Sequence, residues 1–248
     1  MYHFFVEPSQ IQGNKIIITG KDVNHIKNVL RMKPGEEIAV SNGLDGKEYH
    51  CGIAEWYEDR IVCDLFFVKE EGVELASKIY LFQGLPKADK MELIIQKAVE
   101  LGVYEIIPVA SKRAVVKLDA KKAESKLIRW QAIAEAAAKQ SARGIIPQVK
   151  MPMSFSEALK YAAQLEYNMI PYENAQGMKT AGKIMETAML SQSVGIFIGP
   201  EGGYEEKEIE AAIAAGVNVV SLGKRILRTE TAGMTVLSIL MFGIESNR

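Results

Sequence analysis

The chain has 248 residues, nearly half of them apolar, enough for one large or two modest domains. Thirty Lys and Arg stand against 31 Asp and Glu, a formal net charge of −1, so bulk charge does not make it a polyanion binder. The two Cys and three His lack metal-site spacing, no leader-like apolar run follows Met1, and the longest apolar stretch, 234–242, is too short for a bilayer about 30 Å thick. A cytoplasmic protein with no metal site and no membrane partner is expected.

The first seventy or so residues read as closely spaced strands. Lys15–Thr19 is one, a short helix runs from about Asp22 to Leu30, and strands follow over Glu36–Ser41, Tyr49–Trp56 and Arg60–Val68. Asn42-Gly43 and Asp45-Gly46 are turn dipeptides, and Glu58-Asp59 joins the last two strands. Alternation puts Ile61, Cys63, Leu65 and Phe67 on one buried face, with Cys63 a reduced thiol. Small size and strand spacing favour a compact barrel. Up to Gly72 there are eight Lys and Arg against twelve Asp and Glu, so this part is acidic as a whole. Its cations gather at His25, Lys27, Arg31 and Lys33, either a solvated helix face or a local anion patch.

Residues 70–74, Glu-Glu-Gly-Val-Glu, read as a linker, and beyond them the pattern becomes strand, helix, strand. Ile79–Gln83 is an apolar strand, and Met91, Ile94, Ile95 and Ala98 recur at helical spacing before a capping Gly102. Tyr104–Val109 is the next strand, and Asp119 starts a long helix expected to reach Gly144. Tyr167–Ile170, Val194–Ile198 and Val217–Leu222 complete the strands, with helices between. Such alternation argues for a parallel sheet covered by helices. The last helix, Thr231–Gly243, is apolar on nearly every side and is either wholly internal or part of a homodimer interface.

Two glycine breaks follow strands in this second part. Ile198-Gly199-Pro200-Glu201-Gly202-Gly203 is the first, and Leu222-Gly223-Lys224-Arg225-Ile226-Leu227-Arg228-Thr229-Glu230-Thr231-Ala232 the second. On neighbouring parallel strands they would open on one ligand crevice. Neither a P-loop nor a dinucleotide fingerprint is present, and the acidic run after Gly203 opposes a polyphosphate. A tight turn and cap is the plainer account of the first break. The second break is harder to explain that way, because Ile226 and Leu227 in a loop need burial or a flat apolar ligand.

Together these strings resemble the SPOUT class of S-adenosylmethionine-dependent methyltransferases, and within it the bacterial 16S rRNA uridine N3-methyltransferase family. Lys90-Met91-Glu92, Glu100-Leu101-Gly102-Val103, Arg129-Trp130, Glu135, Gln140-Ser141, Arg143, Phe4-Phe5-Val6 and His25 through Val29-Leu30-Arg31-Met32 also match, so the resemblance covers nearly the whole chain. It implies an α/β protein with a PUA-like RNA-binding β-barrel over 1–72 and a SPOUT domain over 73–248, with a parallel sheet and a C-terminal trefoil knot. Tyr2-His3 departs from the basic residues that many relatives carry before Phe4.

The resemblance further implies that S-adenosylmethionine is held around Ile198, Gly199, Pro200, Gly203, Leu222, Gly223, Ile226 and Leu227, closed by Thr231 and Ala232. Its partner would be 16S ribosomal RNA, gripped through His25, Lys27 and Arg31. Methylating uracil N3 needs no metal; it needs alignment and a stabilised imide anion. Arg228 and Arg143 are the candidates for that stabilisation. Gln140 lies on the same helix face as Arg143, and both read equally as helix-end caps. Glu230 is either a proton acceptor or a loop anchor. A SPOUT enzyme acting on tRNA or a ribose 2′-hydroxyl, and a non-catalytic RNA-binding assembly factor, are the competing functions.

Overall fold

The computed structural model describes residues 1–70, 72–173 and 178–247, without the side chain of Lys179. Glu71 of the expected linker lies outside the described residues. Two compact units emerge: residues 1–74 with 138–146, and residues 75–137 with 147–248.

In the first unit β1 (Tyr2–Phe5), β2 (Ile11–Gln12), β3 (Lys15–Thr19), β4 (Glu37–Ser41), β5 (Glu48–Trp56) and β6 (Arg60–Lys69) form one sheet in the order β1-β4-β5-β6-β3-β2. All its ladders are antiparallel except β1 with β4. The inward residues build a core of Phe4, Ile16, Ile18, Ile38, Val40, Ile53 and Ile61, with Cys51 and Cys63 buried and reduced. The expected helix is α1 (Lys21–Asn24) running into a wider turn at His25–Val29, and Arg31 ends it with φ 53°. Phe67 corrects the alternation. The β5–β6 register shifts between His50 and Cys51, opposite Phe66, so Phe67 emerges 56% exposed and stacks on His50 at 4.3 Å.

The second unit contains β7 (Lys78–Gly84), α2 (Lys90–Glu100), β8 (Glu105–Ala110), α3 (Ala120–Gln140, whose last residues belong to the first unit), β9 (Gln148–Val149), β10 (Met153–Ser154), α4 (Phe155–Ala162), β11 (Tyr167–Pro171), α5 (Met178–Leu190), β12 (Ser193–Ile198), α6 (Glu206–Ala214), β13 (Asn218–Val220) and α7 (Thr229–Ser246). Its strands are all parallel, in the order β10-β8-β7-β12-β11-β13, with β9 on β8. The strands that carry the two glycine breaks are therefore not neighbours: β11 lies between β12 and β13. Both sheet faces are buried, as continuous apolar strands require. Phe82 and Phe197, paired across β7 and β12, stack at 4.4 Å toward Phe155 of α4 and Ile209 of α6. On the other side α7 packs on β12 and against α2 and α5.

The long helix stops short of the expected Gly144. Its last turn ends at Gln140, and Ala142 adopts φ 55°, closed by the Arg143 N–H donating to the Ala138 carbonyl at 3.0 Å. Arg143, 3% exposed, then pairs with Glu74, and its Nε lies 3.1 Å from Glu74 Oε2. The other Glu74 oxygen accepts the backbone N–H groups of Gly144 and Ile145 at 3.1 and 3.3 Å. Lys139 pairs with Asp22 at 3.2 Å, and Ile145 bridges to Gly43. The returning segment is thus sutured into the first unit by charge as well as by backbone. Breaking a buried pair leaves its partner uncompensated and costs about 3 kcal/mol. Arg143→Met is expected to lower the unfolding free energy by that amount, read from urea denaturation; an unchanged midpoint would rule out this clasp.

Candidate functional site

The site forms where strands of the second unit end. Gln83, fully buried in the penultimate position of β7, donates through Nε2 to Thr229 Oγ1 at 2.9 Å and to the Gly84 carbonyl at 3.0 Å. Thr229, the first residue of α7, in turn donates to the Gly199 carbonyl at 2.6 Å. One buried hydroxyl thereby ties the ends of β7 and β12 to the start of α7. The approach is close: a Cβ on Gly84 would lie 2.5 Å from the Pro200 ring, so no larger residue fits there.

From this knot of bonds the first glycine loop turns back on itself. The Gly203 N–H donates to the Pro200 carbonyl at 2.9 Å, and Gly203 takes φ 65° before α6 begins. Glu205 and Glu208 form a reciprocal capping box at that helix start, so the position a phosphate cradle would use is already filled by carboxylates. The second loop leaves β13 through Ser221 and Leu222, turns at Gly223 with φ 111°, and rejoins the core at Thr229. Arg228 sits in the cap position of α7, where its carbonyl accepts the Ala232 N–H at 2.8 Å.

Both loops line one cavity of about 720 Å³, with Pro171 and Tyr172 from the end of β11 as a further wall. Of the expected ligand contacts, Ile198, Gly199, Pro200, Gly203, Leu222, Gly223, Ile226, Leu227 and Ala232 line it, as does Arg228. Thr231 does not; it is exposed one residue before Ala232 on α7. Ile226 is 86% exposed, an apolar side chain held over an open space. Beyond Gly203 and Gly223 nothing lies within 4 Å of where a Cβ would project. The lining joins aliphatic side chains and backbone edges to charged residues of both signs, which suits a nucleoside with a small charged tail. The residues present therefore fit S-adenosylmethionine, and the capping carboxylates at the start of α6 oppose a phosphate there. Among the described residues, no group of three or more His, Cys, Asp or Glu could hold a metal ion.

The rim carries ion pairs and contacts that the sequence alone does not reveal. Lys90, the first residue of α2, lies 3.1 Å from Glu201 and 3.4 Å from Glu230. The Lys87 N–H also donates to Glu201, at 3.1 Å. Burial alone would raise the Glu201 carboxyl, but N–H donation from its own backbone and from Lys87, with the Lys90 ammonium, outweighs it and holds it below the ordinary 4.5. Lys90 is raised above 10.5, chiefly by Glu201 and with help from Glu230. Glu201's contribution is complete above its ordinary value and fades as pH falls through the lower folded one; Lys90's is complete below 10.5 and is lost as pH rises through its raised value. The Lys90–Glu201 pair is therefore charged on both sides at neutral pH. Arg113, after β8, donates to the Gly202 carbonyl at 3.2 Å and lines the cavity as well. Only its distant partners reveal these roles, 89 to 140 residues away in the chain.

The remaining sequence candidates lie in the first unit. Gln140 is exposed and Arg143 is held by Glu74. His25 is exposed, with its ring edge-on to Phe4 at 6.4 Å. Lys27 donates to the Tyr57 carbonyl and rides over Trp56 at 5.4 Å, whereas Arg31 is fully in solvent contact.

Residues 73–241 match the RNA methyltransferase domain family, and residues 18–63 match the RNA methyltransferase PUA domain. The ribosomal RNA small subunit methyltransferase E of Bacillus subtilis is 38% identical, over 99% of this chain and 98% of its own. Its namesake from Mesomycoplasma hyopneumoniae is 35% identical over 96% and 98%. The crystal structure of a ribosomal RNA small subunit methyltransferase E from Neisseria gonorrhoeae, bound to S-adenosyl methionine, is 32% identical, with a TM-score of 0.82 over 96% of this chain and 95% of that one. Identity of this extent along both units is shared ancestry of the whole chain: it belongs to the ribosomal RNA small subunit methyltransferase E family.

Proposed function

We propose that this protein methylates N3 of a uridine in 16S ribosomal RNA, using S-adenosylmethionine as donor. The observation that carries the proposal is the convergence of both glycine loops on one cavity with Arg228 in its lining. Bound there, the donor supplies an electrophilic methyl group on a sulfonium, so the protein has no activation of its own to provide. Ile198, Leu222, Ile226, Leu227 and Ala232 would hold the adenosine by apolar contact, and Gly199, Gly203 and Gly223 would let the backbone come close.

What the chain must add is alignment and charge. Losing the imide proton leaves negative charge on the uracil edge, and a guanidinium can donate twice to such an edge while staying charged. Arg228 is assigned that role, because its backbone is fixed as the cap of α7 next to the Thr229 clasp. Glu230 is assigned the anchor's role, since it faces Lys90 across the rim. Arg143 and Gln140 are assigned to closing the returning segment of the first unit rather than to chemistry. Arg31 and His25 remain the exposed RNA contacts of that unit, with Lys27 engaged by Tyr57 and Trp56. A trefoil knot in the second unit belongs to the same assignment; the entry of β12 between β7 and β11, with Pro200 packed on Gly84, supports it.

A homodimer is part of the proposal too. Within the chain α7 is not covered all round: Phe242 is 71% exposed, Ile239 is partly exposed, and Leu190 at the end of the adjoining α5 is open. Apolar residues clustered this way mark a protein interface.

Four outcomes are expected. Labelled donor incubated with 16S rRNA from a strain lacking the gene places its label in N3-methyluridine; label in ribose or in tRNA would overturn the assignment. Gly199→Val presses a branched side chain on Gly203, whose Cα lies 3.1 Å from the new Cβ, and weakens donor binding by calorimetry about tenfold or more, roughly 1.4 kcal/mol. Arg228→Gln lowers kcat about 10²–10³-fold, as loss of an anion-stabilising donor does, and leaves donor affinity unchanged. Sedimentation of Phe242→Glu then separates the interface from the fold, the variant running as a folded monomer where the parent is a dimer.

A further inference from the structure

The second unit carries a concentration of positive charge of which only Arg113 belongs to the methyl-transfer site. Between residues 112 and 129 stand Lys112, Arg113, Lys117, Lys121, Lys122, Lys126 and Arg129, against two carboxylates, Asp119 and Glu124, in a chain whose total charge is −1. Asp119 caps α3, its carboxylate accepting the Lys122 N–H at 2.9 Å and pairing with the exposed Lys122 ammonium at 3.3 Å. Glu124 lies two residues beyond Lys122, and so turns to the opposite side of the helix. Lys122, Lys126 and Arg129 share the spacing i, i+4, i+7 and form one stripe beside the buried Ala123, Trp130 and Ala134; within it Arg129 is paired with Glu92 at 2.8 Å. Lys112, Arg113, Lys117, Lys121, Lys122 and Arg129 are all exposed.

This ribbon is joined to the cavity. The Lys112 N–H donates to Glu208 at 2.9 Å and Arg113 donates to the Gly202 carbonyl, which pins the ribbon's first residues against the glycine loop. Arg113 itself lines the cavity. Positive charge therefore begins at the mouth of the pocket and continues outward along α3.

We infer that the 112–129 ribbon is the surface on which the sugar–phosphate backbone of the substrate RNA lies while its target base reaches the cavity. The inference rests on the proposed RNA methylation, but it concerns a surface of the second unit, apart from the His25–Arg31 segment. From Lys122 to Arg129 the helix advances about 10 Å at 1.5 Å per residue. That length spans about three phosphates at the roughly 3.4 Å axial spacing of one strand. Exposed lysines are suited to this contact, because a flexible ammonium meets a phosphate wherever it lies and specifies no base.

The test is the salt dependence of 16S rRNA binding by the triple variant Lys117→Gln/Lys121→Gln/Lys122→Gln in the full chain. Each lost phosphate contact removes about 0.7 from the slope of log K against log salt for single-stranded nucleic acid. The slope is expected to shrink by about 2, with a higher KM for RNA and unchanged kcat, thermal midpoint and donor affinity. The Lys→Arg triple variant keeps the parent slope. Should the Gln triple lose donor binding through misfolding, the single variants are measured instead, each lowering the slope by about 0.7. A parental slope in folded Gln variants overturns the inference. Absence of methyl transfer by the parent protein would instead overturn the proposed activity, because the slope is read from binding alone.

Discussion

The second unit depends on one hydroxyl. Thr229 is separated by 146 residues from Gln83 and by 30 from Gly199, yet its Oγ1 accepts from one and donates to the carbonyl of the other. All three groups sit where water is largely excluded, so each would carry an unmet polar atom without the others. This makes the arrangement close to all-or-none. β7, β12 and α7 meet at one geometry, and the loops that flank the cavity inherit it. The loops themselves need no internal rigidity, because both ends of each are fixed by something else.

Charge on the rim follows a similar logic. Lys90 stands between Glu201 and Glu230, carboxylates that come from the two different loops. A single ammonium thus links the first glycine turn to the start of α7. At that corner of the rim two carboxylates meet one ammonium. The capping box of α6 fills the helix N-terminus with Glu205 and Glu208, the position a bound phosphate would otherwise take.

Much of this was legible in the sequence, and the limits have physical causes. Strands and helices announced themselves by period, and Gly102, Asp119 and the glycine breaks marked their ends, because those signals are local. Strand order is not local. Nothing in the chain between 194 and 222 tells that β11 separates β12 from β13, yet the cavity survives this, since β11 contributes Pro171 and Tyr172 at the same edge. The bulge that turns Phe67 outward is equally hidden, since a single unpaired residue reverses every later side chain. Arg143 was legible as important but not as buried; its partner Glu74 stands 69 residues earlier. The pairing of Lys90 and the place of Arg113 at the rim were hidden for the same reason.

Net charge is the least informative property of the chain. A total of −1 describes a molecule whose first 72 residues are acidic and whose 112–129 segment is strongly basic. Phosphates respond to the potential within about one Debye length, some 8–10 Å at physiological salt, and not to the sum over the molecule. Seven cations stand along one loop and three helical turns, against two carboxylates in the same segment. An RNA-directed protein can therefore stay near neutrality overall, which limits indiscriminate binding to other polyanions, while keeping the field where the base must be delivered. Placing that field next to the glycine turn couples grip and chemistry through a single contact, the Arg113 guanidinium on the Gly202 carbonyl.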